Sequence, residues 1–193
     1  SKEITDRFKF IHVSTDEVFG SLEPEDDGFT ETSPYKPNSP YSASKAASDH
    51  LARCYFETFG LPTIVTNCSN NYGPHQHTEK FIPTVLNSFF TGKKIPVYGD
   101  GRQIRDWLYV GDHCDALLSV LDKGLPGESY NIGGNCELTN LELIQLIFDN
   151  IQKLKPEVLT GNADNYISFV EDRLGHDRRY AIDARKMHNQ LGW

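Results

Sequence analysis

The chain of 193 residues has no run of about 18 apolar residues, so no segment of it reads as a membrane-spanning helix. Its first residues, SKEITDRFKF, lack the apolar core of a secretory signal. Cysteine is scarce: Cys54, Cys68, Cys114 and Cys136 stand far apart with no CxxC pair, and they read as buried thiols in a reducing compartment. Basic residues number 19 against 27 acidic ones, a net charge of −8. That balance argues against a nucleic-acid or anionic-membrane partner, while leaving room for a local cation cluster around a small anion. A GxxGxxG loop is also missing. Gly99-Asp100-Gly101 and Gly133-Gly134 read as turn glycines, so nothing here is built to cradle a dinucleotide pyrophosphate. No internal repeat is visible. The expectation is a soluble, cytoplasmic, globular protein with no metal site, since His75 and His77 have no third ligand nearby in sequence.

What is present suffices for a core: 38% of residues are hydrophobic and 11% aromatic. FKFIHVS (8–14) reads as a buried strand, followed by an acidic loop to Asn38. Ser39-Pro40 predicts a helix start and Gly60 its end, with an apolar side at Ala43, Ala46, Ala47, Leu51, Cys54, Tyr55 and Thr58. LPTIVTN predicts a second strand and SNNYGP a polar loop. A helix with Phe81, Val85, Leu86 and Phe89 on one face follows, then strands at KIPVYG and DWLYV. GDHCDALLSVLDKG predicts a helix and ESYNIGG a strand. Thr139 and Glu142 form a capping box for a helix to about Leu154. YISFV is a late strand, and Asp183 caps a last short helix. Strands alternating with helices imply an α/β fold with parallel strands, whose ligands sit beyond the carboxyl ends of those strands.

Two clusters carry chemistry. Tyr41 and Lys45 lie four apart on a helix, on one face, where an ammonium lowers a phenol's pKa towards use as a base; alone the pair also reads as a solvated face. Ser14-Thr15-Asp16-Glu17 ends the first strand with two adjacent carboxyls. Such a pair suits acid/base work when the two environments differ, and it also reads as loop capping.

The ordered series STDEVFG, YSASK, NCSNNYGP, QIRDWLYV, YNIGG and DRLGHDRRY resembles the extended short-chain dehydrogenase/reductase enzymes, and within them the dTDP-glucose 4,6-dehydratases. The likeness covers nearly the whole chain. It departs at Phe19, where the family usually has Tyr. The resemblance implies a Rossmann-like doubly wound parallel sheet with a smaller mixed α/β substrate domain, NAD as cofactor, dTDP-glucose as substrate and a homodimer. By motif, Tyr41 would be the base for the sugar C4 hydroxyl, with Lys45 tuning it and holding the nicotinamide ribose. Thr15 would bond the C4 oxygen, Glu17 would remove the C5 proton and Asp16 would protonate the departing C6 hydroxyl. Asp16 must be protonated for that, so its pKa is expected to be raised by burial or by its neighbour. Ser14 and Asn71 would join Tyr41 and Lys45 at the cofactor. Asn70, Lys80, Phe81, Pro96, Val97, Tyr98, Arg105, Asn140, Asp172, Arg173 and His176 would bind the nucleotide sugar, with Arg105 and Arg173 on the diphosphate.

The same resemblance assigns residues 1–73 and about 104–132 to the cofactor domain, and about 74–103 and 133–193 to the sugar-nucleotide domain. The glycine-loop part and the extreme C-terminus are expected to lie outside this chain. Two other readings remain open: another nucleotide-sugar dehydratase or epimerase on the same scaffold, or a non-catalytic sugar-nucleotide-binding module.

Overall fold

The computed structural model describes residues 8–193. The expectations that touch residues 1–7, a signal-free start and the first stretch of the cofactor domain, lie outside the described residues. The central sheet has the order β1-β2-β6, formed by β1 (Phe10–Thr15), β2 (Thr63–Cys68) and β6 (Ser129–Ile132), all parallel. Between β1 and β2 runs α1 (Pro40–Phe59). It starts as predicted: Ser39 and Ser42 form a reciprocal cap, Pro40 occupies the first turn, and Gly60 ends it in the left-handed conformation at φ 67°.

The buried side of α1 is not the expected one. Ser42, Ala46, Asp49 and Ala52 face the sheet, whereas Leu51 and Tyr55 are 61% and 51% exposed. Hydrogen bonding to the strand ends, rather than apolarity, sets how this helix is rotated. The cysteines depart from expectation in the same way: Cys54, Cys114 and Cys136 are exposed and Cys68 is half-buried.

A second sheet, β3-β5-β7, joins β3 (Asn70–Tyr72), β5 (Ile104–Tyr109) and β7 (Glu137–Thr139), with β7 antiparallel. The expected polar loop SNNYGP thus holds a short strand, because Asn70 to Tyr72 find main-chain partners along Trp107 to Tyr109. β7 carries no apolar alternation and was invisible for that reason. Parallel β4 (Ile95–Tyr98) and β8 (Ile167–Val170) form the third sheet.

Three further helices complete the layers: α2 (Phe81–Thr91), α3 (Val110–Lys123) and α4 (Asn140–Leu154), the last opened by the predicted Thr139–Glu142 capping box. Leu86 of α2 proves exposed, while Val85 and Phe89 are buried. The final turn, Met187–Leu191, is of the wider π type, and Asp183 accepts from the Arg185 amide just before it.

Apolar burial falls into two main clusters. Ile64, Leu108, Val120, Tyr130, Ile132 and Met187 pack between the central sheet and α3. Val85, Phe89, Ile95, Val97, Ile144 and Phe148 fill the space among α2, α4 and β4. The carboxyl ends of β1 and β2 open onto the region between these bodies, where the parallel-sheet rule places a ligand.

Candidate active site

β1 delivers Ser14 and Thr15 to the carboxyl end of the central sheet, and the chain then bends into a 3-10 turn, Asp16–Phe19. Thr15 caps this turn: its Oγ1 accepts from the Glu17 amide at 3.3 Å and donates to Asp16 Oδ1 at 3.2 Å. Phe19 anchors the far end against Phe29 and Tyr35, both at ring separations of 5.2 Å. Its phenyl ring is buried there, so the departure at this position affects packing away from the acids.

Asp16 is 2% exposed, and its Oδ2 has no hydrogen-bond partner among the described residues. Burial first, and the neighbouring Glu17 charge second, push this carboxyl up to about 7. The expected raised acid is therefore present. Glu17 is half-buried and also raised, by burial and by Asp177, against the pull of Arg105, Lys80 and Arg173. Three cations expected from the sequence at an anionic ligand thus converge on one carboxylate.

Arg105 is rigidly held. It is 9% exposed, and its guanidinium donates to the carbonyls of Ile104 at 2.8 Å, Asp177 at 3.0 Å and Arg178 at 3.4 Å. It also lies over the Tyr180 ring, 4.4 Å from the centroid. Asp106 does not pair with it; that carboxylate accepts from the amides of Gly134 and Cys136 at 2.8 and 2.7 Å.

Tyr41 and Lys45 reach the same region, with one correction. Lys45 Nζ donates to the Val13 carbonyl at 2.8 Å. The Tyr41 phenol is shifted upward, not downward, by burial first and then by the neighbouring Glu17 carboxylate. The ammonium is engaged on β1, and acidic groups dominate the surroundings of the phenol. Cys68 itself is pushed up to about 12 by burial and Asp16, so it remains a thiol.

Two residues expected at the cofactor turn elsewhere. Ser14 is buried and donates to Asp49 at 2.9 Å. Asn71 Nδ2 donates to the Ser69 carbonyl at 3.0 Å, and its Oδ1 lies 2.8 Å from His113 Nδ1. Asn70 by contrast has no partner for its Oδ1 among the described residues.

The outer residues form a continuous polar chain. Arg173 sits 4.8 Å over the Tyr98 ring and 3.1 Å from His176 Nε2. His176 Nδ1 is 2.6 Å from Asp172 Oδ1, Asp172 accepts from Gln103 at 3.1 Å, and Gln103 accepts from Asn140 at 3.3 Å. Pro96 and Tyr98 face outward from β4, but Val97 is 1% exposed and its side chain lies in the core, where strand alternation sends it. Phe81 stacks on Trp107 at 6.3 Å. Sequence reasoning missed Asp49, Gln103, His113, Asp177 and Tyr180. Asp49 alone left a trace, as the next turn of the Tyr41–Lys45 spacing.

A family model described as GDP-mannose 4,6 dehydratase matches residues 1–193. The chain belongs to this family. A relative named dTDP-glucose 4,6-dehydratase from Xanthomonas campestris pv. campestris (strain B100) is 56% identical over 188 residues, 97% of this chain and 53% of the relative. The crystal structure of DesIV, a dTDP-glucose 4,6-dehydratase from Streptomyces venezuelae with NAD and TYD bound, superposes with a TM-score of 0.88 at 45% identity, covering 96% of this chain and 54% of that one. UDP-glucuronic acid 4-epimerase from Bacillus cereus, in complex with UDP-glucuronic acid and NAD, follows at a TM-score of 0.83 and 26% identity, covering 96% and 55%. The chain spans about half the length of the curated relatives it matches. Membership of the family agrees with the resemblance carried by the six sequence motifs, and so does the Rossmann-like α/β architecture of these neighbours.

Proposed function

We propose that this protein is an NAD-dependent dTDP-glucose 4,6-dehydratase, a hydro-lyase forming dTDP-4-keto-6-deoxyglucose. The observation that carries the reading is Asp16, a buried carboxyl raised to about 7 beside Glu17 on one turn. Two adjacent carboxyls of unequal environment can act as acid and base at the same pH. An epimerase on this scaffold has no elimination to perform and no use for the pair, so the acids favour a dehydratase over the epimerase reading.

The fit to NAD is confined to the nicotinamide end. Tyr41 is 56% exposed, and Lys45 spends one donor on Val13, which leaves a hydroxyl and ammonium donors facing outward at the carboxyl end of parallel strands. Those groups suit a ribose diol. When bound, NAD supplies the oxidation at sugar C4 and the later return of the same electrons to C6. Tyr41 accepts the C4 hydroxyl proton while Thr15 bonds that oxygen. The C4 ketone acidifies C5, and Glu17 removes the proton there. Asp16 protonates the C6 hydroxyl, which leaves as water. Return of a proton to C5 completes a redox-neutral reaction.

Lys80 and Arg173 supply charge to the diphosphate, with Arg105 behind them. Asn70 offers an acceptor to the sugar, and Tyr98, Asn140, Asp172 and His176 line the nucleotide end. On this reading the cluster around β1, β2 and α3 serves the cofactor and that around α2, α4 and β4 the nucleotide sugar. A homodimer is supported by the exposed apolar side of α1, at Leu51, Tyr55 and Phe59. No helix of the described residues is long and apolar enough to cross a membrane; we place the protein in the cytoplasm.

The test is a panel of dTDP-, UDP-, GDP- and CDP-glucose offered to the intact protein, with the keto product measured. Product from dTDP-glucose is expected. Product from another nucleotide alone refutes the substrate, and no product from any refutes the dehydratase. Glu17→Gln should oxidise C4 and stall, visible as persistent NADH absorbance with substrate bound.

A further inference from the structure

The same helix that carries Tyr41 and Lys45 buries a third polar residue one turn later. Asp49 is 2% exposed, and its Oδ2 accepts from Ser14 Oγ at 2.9 Å, Tyr35 Oη at 2.9 Å and Asn67 Nδ2 at 3.3 Å. His12 Nε2 lies 2.9 Å from its other oxygen. All three hydrogen bonds meet one oxygen, and a buried carboxylate held in that way is cheap only in one arrangement.

Each donor belongs to a different part of the acid turn's support. Ser14 directly precedes Thr15, Asp16 and Glu17. Asn67, next to the last residue of β2, also donates to the Thr15 carbonyl at 3.1 Å, so it holds the cap residue of the turn while bonded to Asp49. Tyr35 packs edge-on against Phe19, the last residue of that turn. Lys45 ties the same helix to β1 one turn earlier through the Val13 carbonyl. Asp49 therefore sits where α1, the ends of β1 and β2, and the 3-10 turn all meet.

We propose that Asp49 is a positioning residue, which sets the distance between the Tyr41 phenol and the Asp16–Glu17 turn by lashing α1 to Ser14, Asn67 and Tyr35. It touches neither substrate nor cofactor. A reaction that uses Tyr41 at one sugar carbon and the acid pair at the next two needs that distance fixed, and misplacement of about 1 Å costs on the order of 100-fold in rate. The proposal rests on the dehydratase reading only for the identity of the chemistry; the tether is read from the hydrogen bonds.

The experiment uses the intact protein on whichever nucleotide sugar the wild type turns over, so failure on dTDP-glucose counts against the function and not against Asp49. Asp49→Asn keeps the shape and removes the charge. A fall in kcat of about 10- to 100-fold is expected, with KM changed less than about threefold because the diphosphate contacts lie elsewhere. Ser14→Ala cuts the tether from the strand side and should lower kcat in the same sense. Since the Ser14 bond is one of those that Asp49 makes, the double variant should be no slower than the slower single one. Fully additive losses in kcat, or a loss confined to KM, overturn the proposal. Should Asp49→Asn melt too early to assay, Ser14→Ala and Tyr35→Phe each remove one donor to Asp49 and should each lower kcat with KM changed less than about threefold; an unchanged kcat in both, or a loss confined to KM, overturns the proposal.

Discussion

Keeping Asp16 buried with its carboxyl near 7 has a stability cost that grows with pH. In the folded protein the group titrates at about 7, against 3.8 when free of its surroundings. Unfolding therefore releases a proton between those values, and stability falls as pH rises from below 3.8 to above 7. About 3 units at 1.36 kcal/mol each give ~4 kcal/mol for the ionised form over the whole range. Asp16→Asn removes the titration and keeps the volume. Between about pH 5 and pH 8.5, where roughly 2 units of the shift remain, the variant should gain ~3 kcal/mol on the wild type. Urea unfolding of the intact protein at the two pH values reads this difference directly. Parallel pH curves for the two proteins would refute the buried, raised carboxyl, and with it the assignment of Asp16 as the acid. The variant should meanwhile lose elimination, so the more stable protein is the inactive one.

Other outcomes follow from the same geometry. Overall turnover should fall above about pH 7 as Asp16 loses its proton, while the C4 oxidation step alone, which needs the upward-shifted Tyr41 ionised, should keep rising with pH; rapid-mixing absorbance against steady-state product separates the two. Tyr41→Phe should slow C4 oxidation by ~10²- to 10⁴-fold, measured as NADH formed in a single turnover. Leu51→Arg, on the exposed side of α1, should convert a dimer to a monomer in sedimentation without unfolding it. Gly134→Ala should destabilise by about 3 kcal/mol or more in thermal or urea unfolding, because its Cβ would come 2.1 Å from the Trp107 carbonyl.

Much of the local structure was legible in the residues. Ser39-Pro40, Gly60 and the Thr139–Glu142 box mark helix ends by local hydrogen bonding, which needs no tertiary partner, and they fall where expected. The acid pair and the cations were legible as motifs, and the raised Asp16 was expected from the acid role that the family resemblance implies. What failed depends on contacts distant in sequence. The rotation of α1 is fixed by Asp49 meeting Ser14 and Asn67, so a pattern of apolar residues pointed to the wrong face. The direction of the Tyr41 shift failed for a related reason: spacing places Lys45 near the phenol but cannot show that Val13 claims its ammonium. β3 and β7 are strands only because β5 lies between them.

Arg105 is fastened by carbonyl oxygens of Ile104, Asp177 and Arg178, groups that every amino acid possesses. Its anchorage is therefore blind to the side chain at position 178. Replacing Arg178, whose guanidinium points away to Asp100, should leave the guanidinium of Arg105 where it is. Arg105 itself has no such latitude, since a lysine would bring one compact ammonium to a cradle shaped for a flat fork. The charge beside Glu17 is thus inherited from the course of the backbone and stands in place before any substrate arrives.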